Sequence, residues 1–190
     1  MSTHKTIYSA IKFVDIAWLV KGASWGEWLG NKFLSHIREV DAIVQVIRYF
    51  QDSEITHVHG QVDPTYDAEV INTELIIADM EQVERNTAML AKIGAKRSKD
   101  QEILFKIFSL ASQELNAGRF VYGIRSQFAP EDLKVLKWLQ LITDKPMIYV
   151  INVSEWDLDH FRDIEQTISS KLGATSVVVS AKLESELIPL

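Results

Sequence analysis

The segment Met147–Val179 reads MIYVINVSEWDLDHFRDIEQTISSKLGATSVVV, and its pattern decides the fold. Met147–Ile151 and Ser176–Val179 are near-continuous runs of apolar, β-branched residues. Strands of a parallel sheet read this way when helices cover both of its faces. Between them Leu158–Leu172 has helical length, and Gly173 stands at the C′ position where a left-handed residue closes a helix. Strands that alternate with helices point to an α/β layered domain.

Further out, Ile11–Ile16 and Ala42–Ile47 repeat the apolar run, so four buried strands are expected. Leu29–Arg38 is a short helix candidate. The long segment between the second and third runs behaves differently. Asp63-Pro64 supplies an N-cap and an N1 proline. Ile71, Leu75, Ile76, Ala78, Met80, Val83 and Leu90 follow with helical spacing. After Gly94-Ala95-Lys96-Arg97, Ser98 and Gln101 form a capping box. A second helix then carries Ile103, Ile107, Leu110 and Leu115. Two long helices joined by a short basic turn make an antiparallel hairpin, and a third helix, Glu131–Leu141, leads back to the sheet. The expected division is residues 1–64 and 142–190 for the α/β part and 65–141 for a helical insertion. No repeat or low-complexity tract interrupts it.

Composition narrows the classes. The 190 residues are 47% hydrophobic and 24% charged, as in an ordinary globular protein. No run approaches the length of a membrane span, and Met1–Lys12 lacks the apolar core of a secretory signal. The absence of cysteine excludes disulfides and thiolate metal sites and makes the cytoplasm the default location. A net charge of −6 argues against a surface that binds nucleic acid everywhere, while leaving room for a local basic patch.

Asp15 ends the first apolar run, where α/β folds place ligand groups and P-loop NTPases place an Mg²⁺-side aspartate; from this residue alone an N-cap or loop aspartate is the simpler reading. His57 is one of five histidines, and by itself fits a solvated loop. Lys96, Arg97 and Lys99 at the hairpin turn suit either phosphate contacts with RNA or a solvated turn.

Longer stretches carry a resemblance. VDIAWLVKGASWGEWLGNKFLSHIREVDAI resembles the switch II signature of Obg-like proteins. ITHVHGQVDP and INTELIIADMEQVE resemble the loop and first insertion helix of their YchF subfamily. Leu141–Pro146, then YVINVSE and SAKLESE, resemble its base-recognition region, and these motifs occur in family order from roughly Ala10 to Leu187. The resemblance implies an α/β fold: part of a P-loop NTPase (G-domain) parallel sheet with an inserted helical hairpin, or coiled-coil, domain. It implies a ribosome-associated hydrolase of ATP or GTP that works with Mg²⁺. Asp15 then matches the Mg²⁺-side aspartate, acting through a water, and Leu19 falls where many GTPases carry a water-orienting glutamine. His57 matches a loop histidine implicated in hydrolysis, and Trp18 lies on the phosphate side. Asn152, Val153 and Glu155 stand where guanine-specific relatives have Asn-Lys-x-Asp. That aspartate accepts two hydrogen bonds that adenine cannot donate, and the Asn-x-x-Glu form goes with ATP preference. Ser180 and Ala181, followed by Lys182, match the second base-side loop. If the ribosome is the partner, Lys96, Arg97 and Lys99 at the hairpin turn are the candidate contacts with its RNA, with a solvated turn as the simpler reading.

The sequence departs from the family in two ways. It contains no G-x-x-x-x-G-K-[ST], the cradle and lysine that hold phosphates. In the family that loop precedes the Asp15 strand and a TGS domain follows the base-recognition region. The chain therefore reads as an internal piece of a longer protein, with a non-catalytic hairpin binding module or a decayed gene product as the alternative. Second, Trp18 and Trp28 stand at family glycines, and Trp25 lies in the same loop. An indole does not allow the close backbone approach that glycine permits. UGA codons, which some bacterial lineages read as glycine, would account for both, and glycine also suits Trp138 and Trp156; drift in a decaying gene is the alternative.

Overall fold

A computed structural model of the chain describes residues 10–16, 31–52 and 62–188. Among these residues one sheet holds three parallel strands in the order β1 (Ile43–Arg48), β2 (Met147–Asn152) and β3 (Ser176–Val179). Ile43 pairs with Met147, and Tyr149 with Ser176. Helix α5 (Phe161–Leu172) connects β2 to β3, and Gly173 closes it in the left-handed conformation at φ 62°. The turn Glu155–His160 is a 3-10 helix, so α5 starts later than the sequence pattern suggests. The cause lies at Ser154, whose amide and hydroxyl both donate to Asp157 Oδ2 and tighten that first turn.

Alternation along the strands separates two faces. Ile47, Tyr149 and Ile151 are buried, and the Tyr149 hydroxyl accepts from Asn72 on α2 (Pro64–Ile93) at 2.7 Å. The other face carries Val44, Val46 and Val177, and Val46 is 67% exposed. Helices on both faces, as the apolar runs suggest, are thus not found among the described residues. A second expectation also fails. Ile11–Ile16 forms no strand, and Ile11 is 84% exposed. An apolar run becomes a strand only beside a ladder partner, and no described strand lies alongside this one.

The insertion follows its caps. Asp63 accepts from the amides of Thr65 and Tyr66 at 3.1 and 3.0 Å and starts α2. The Ser98–Gln101 capping box starts α3 (Lys99–Asn116). Val83, Leu90, Ile107, Phe108 and Leu115 interdigitate between them, joined by Val121 and Leu136. Helix α4 (Pro130–Trp138) stops short of the expected Leu141. Gln140 takes a left-handed φ of 51° there, which an α-helix does not accommodate. Helix α1 (Asn31–Glu39) packs Phe33, Leu34 and Ile37 against Leu75 and Ile142, and α6 (Ala181–Leu187) follows β3. Among the described residues no helix is long and apolar enough to cross a membrane.

One polar knot ties these parts together. Asp79, fully buried in the middle of α2, accepts from Arg38 Nη1 of α1 at 2.8 Å through one oxygen. Its other oxygen accepts from the amide and hydroxyl of Thr143 at 2.7 and 2.8 Å. The Arg38 guanidinium also donates to the carbonyls of Gln140 and Ala78, and Lys145 Nζ donates to the Val40 carbonyl at 2.6 Å. Beside the knot, Asp144 is buried and bonded to Arg125 Nη1 at 3.1 Å. Burial pushes its carboxyl up to about 6, against the pull of Arg125 and Lys145.

Two outcomes follow from this knot. Arg38→Met leaves the buried Asp79 charge without its cation, and should cost about 3–5 kcal/mol of unfolding free energy, measured by denaturant titration. Asp144 holds its proton more tightly folded than unfolded, where its value is about 3.9. The folded state therefore binds the extra proton between these two values, and its stability should fall as pH rises through that window up to about 6. Asp144→Asn should flatten the fall in melting temperature over that range; an unchanged profile would exclude Asp144 as its source.

Candidate functional site

The carboxyl ends of β2 and β3 lie side by side, where open parallel sheets receive ligands. The ladder continues one step past β2, with the Val153 amide donating to the Val179 carbonyl at the end of β3 at 2.9 Å. The two loops that leave these ends are then joined by a side chain. Asn152 Oδ1 accepts from the Ala181 amide at 3.0 Å, so the last residue of β2 holds the first residue of α6. This bond uses the oxygen of the Asn152 amide and leaves its Nδ2 donor without a partner among the described residues. Lys182 Nζ reaches Glu155 Oε1 at 3.3 Å across the same gap. Both side chains are partly solvated, so this ion pair contributes little stability and serves mainly to place the carboxylate.

Ser180 is buried, yet its hydroxyl oxygen has no partner among the described residues. Unsatisfied buried hydroxyls are uncommon, and this one lies at the junction of the two loops. Among the described residues Asn152 Nδ2 is the free donor at this junction, while the Ser180 hydroxyl is enclosed. Val153 differs from its neighbours. Its side chain is buried in the cluster of Ile151, Ile164 and Ile168, which leaves only its main chain for a ligand.

Asp15 is exposed and makes no ion pair among the described residues. No group of three or more acidic, histidine or cysteine side chains there could hold a metal ion unaided. A single free carboxylate is still compatible with Mg²⁺, which is commonly held by one or two carboxylates together with waters and substrate phosphates. Trp18, Leu19 and His57 lie outside the described residues. Trp138 and Trp156 are 77% and 86% exposed, so neither indole has a packing role.

At the hairpin turn the three cations separate. Lys96 and Lys99 are exposed. Arg97 is used internally: Nε donates to the Leu90 carbonyl at 3.0 Å, Nη1 to Glu102 at 3.3 Å, and the guanidinium lies 3.9 Å over the Phe105 ring. It satisfies the end of α2 and stacks on α3 rather than facing solvent. The residues that the sequence reading did not single out are Arg38, Asp79, Thr143 and Asp144. A signal for Asp79 was present, since it stands on the buried stripe Leu75–Asp79–Val83 at intervals of four.

No protein-family model matches the chain. Among curated proteins it is 44% identical over 192 residues to the "Ribosome-binding ATPase YchF" of Bacillus subtilis, covering 98% of this chain and 52% of that protein. The protein of the same name from Mycoplasma pneumoniae is 41% identical, with 96% and 51% covered. The chain therefore spans about half the length of the curated relatives it matches. Among solved structures, that of the Schizosaccharomyces pombe YchF GTPase superposes with a TM-score of 0.71 at 36% identity, over 90% of this chain and 48% of the other. Sequence and fold agree along nearly the whole chain, and it belongs to the YchF subfamily of Obg-like P-loop ATPases and GTPases.

Proposed function

We propose that this chain is the base-recognition and helical-hairpin part of a cytoplasmic, ribosome-associated protein that binds and hydrolyses ATP. The observation that carries the adenine side is the bond from the Ala181 amide to Asn152 Oδ1, with the orphaned Ser180 hydroxyl beside it. Asn152 and Ala181 hold the two base-side loops together, Asn152 Nδ2 bonds the ring edge beside the buried Ser180, and Val153 contributes main chain. Glu155 sets the choice of base. Its carboxylate is paired with Lys182 and does not need the two donors that guanine would bring. Asp15 faces Mg²⁺ through a water, Trp18 lines the phosphate side, and His57 with Leu19 positions the attacking water. Mg²⁺, when bound, neutralises phosphate charge. The division into residues 1–64, 65–141 and 142–190 separates nucleotide contacts from partner contacts in this reading.

The sequence has no phosphate-cradling loop, so little in it compensates the charge of ATP. Calorimetric titration of the chain with ATP·Mg²⁺ should therefore show dissociation weaker than about 1 mM, with no measurable hydrolysis. Saturable low-micromolar binding would overturn this. Adenosine should shift the amide resonances of Asn152, Ser180 and Ala181, and Asn152→Ala should abolish those shifts.

The ribosome contact is assigned to the hairpin turn through Lys96 and Lys99, while Arg97 keeps the turn in shape. Replacing both lysines by glutamate should reduce co-sedimentation with ribosomes, most strongly at low salt, because phosphate contacts are screened. Unchanged co-sedimentation would move the contact elsewhere.

A further inference from the structure

We infer that a cavity at the amino end of β2 is a binding site for a small phosphate ester, separate from the nucleotide-binding region. The cavity has a volume of about 440 Å³ and is lined by Arg38, Tyr122, Arg125, Lys137, Asp144 and Lys145, among others. That size suits a small molecule. Lys145 and Pro146 lead into β2 while Asn152 ends it, so six residues of strand, about 20 Å, separate the cavity from the base-side loops.

The lining cations come from four parts of the fold: α1, the 3-10 helix Val121–Gln127, α4, and the loop before β2. Arg125 is the most informative. Its Nη1 bonds the carbonyl and carboxylate of Asp144, while Nε and Nη2 make no hydrogen bond among the described residues. Its guanidinium carbon lies 5.6 Å from the centre of the Tyr122 ring, and its Nε and Nη2 edge suits two oxygens of one anion. Among the described residues Lys137 pairs only with Asp41, 3.7 Å away and also well solvated, a pairing that an incoming anion displaces at little expense. Arg125, Lys137 and Lys145 approach from three elements. Three separate donors match the oxygens of a tetrahedral group better than the two of a carboxylate. The cavity wall also includes Gln140, the one non-glycine residue with positive φ among those described. Strain of this kind concentrates at ligand sites.

Glu39, Asp41 and Asp144 oppose the cations. Asp144 is 6% exposed, and its Oδ1 has no partner among the described residues. It is faced by Arg125, by Lys145 in its own loop, and by Asp79 from α2; Arg38 of α1 lines the same cavity. Its carboxyl titrates at about 6. Protonation removes the nearest negative charge and frees Arg125, so anion affinity should rise as pH falls through that value.

Sulfate is the appropriate probe, because its charge is constant over this range. Titrated into the full chain and followed by amide resonances, it should give saturable shifts confined to residues 38–41, 122–125 and 137–146. Affinity should be several-fold higher at a pH of about 5.5 than at about 7.5. Arg125→Gln should weaken binding roughly tenfold. Lys137→Gln, on the surface and harmless to folding, should weaken it about threefold. Asp144→Asn should tighten binding at the higher pH and remove the pH dependence. No saturable shift, shifts spread over the whole chain, or binding indifferent to Lys137→Gln and Asp144→Asn would each overturn the site. Acetate binding as tightly as sulfate would overturn its assignment to a phosphate ester.

Discussion

A carboxylate with no access to water is the constraint on which this structure turns. Taking Asp79 out of solvent is unfavourable unless its oxygens are fully occupied. They are occupied by Arg38 and by the amide and hydroxyl of Thr143. Those donors lie 41 and 64 residues away in sequence, so satisfying one side chain fixes three elements at once. Helix α1 can sit only where Arg38 reaches, and the loop before β2 only where Thr143 reaches. Apolar packing of Ile37, Leu75 and Ile142 surrounds the same point, but apolar contact alone tolerates sliding. The hydrogen bonds select one arrangement.

The same knot explains how the helical insertion is joined to the sheet. Arg38 accounts for the bend at Gln140 by bonding its carbonyl, and Gln82 bonds the carbonyl of Leu139 beside it. With Lys145 on Val40, each end of the connection is held by a side chain from another element. A left-handed glutamine is tolerated there because its surroundings over-determine it.

Much of this architecture was legible in the sequence where local chemistry decides. Asp63, the Ser98–Gln101 pair and Gly173 each act within a turn, and each does what its residue type suggests. Strands β1 to β3 were legible from apolar runs. Ile11–Ile16 was not, because the run has strand propensity but a ladder needs a neighbour, which propensity does not reveal. The end of α4 was also hidden, since it is set by an arginine a hundred residues earlier. At the candidate site, Asn152 and Ala181 were named from motif order, and the bond between them is a tertiary fact. The burial of Val153 and the internal role of Arg97 likewise depend on neighbours distant in sequence or across a turn. Asp79 was legible only as an acid on an apolar stripe, a pattern that says a partner exists without saying which.

Helix α2 has a mechanical consequence. Its 30 residues make a rod about 45 Å long, and Asp79 is near its midpoint. The turn at Gly94 is then about 22 Å from that fulcrum. Arg97 clamps the two arms of the hairpin at their far end, so they swing as one body. A tilt of about 10° at the Asp79 pivot would carry the turn through roughly 4 Å, enough to make or break a contact at its tip. Small rearrangements of α1, bonded to Asp79 through Arg38, would in this way be geared up at the other end of the rod.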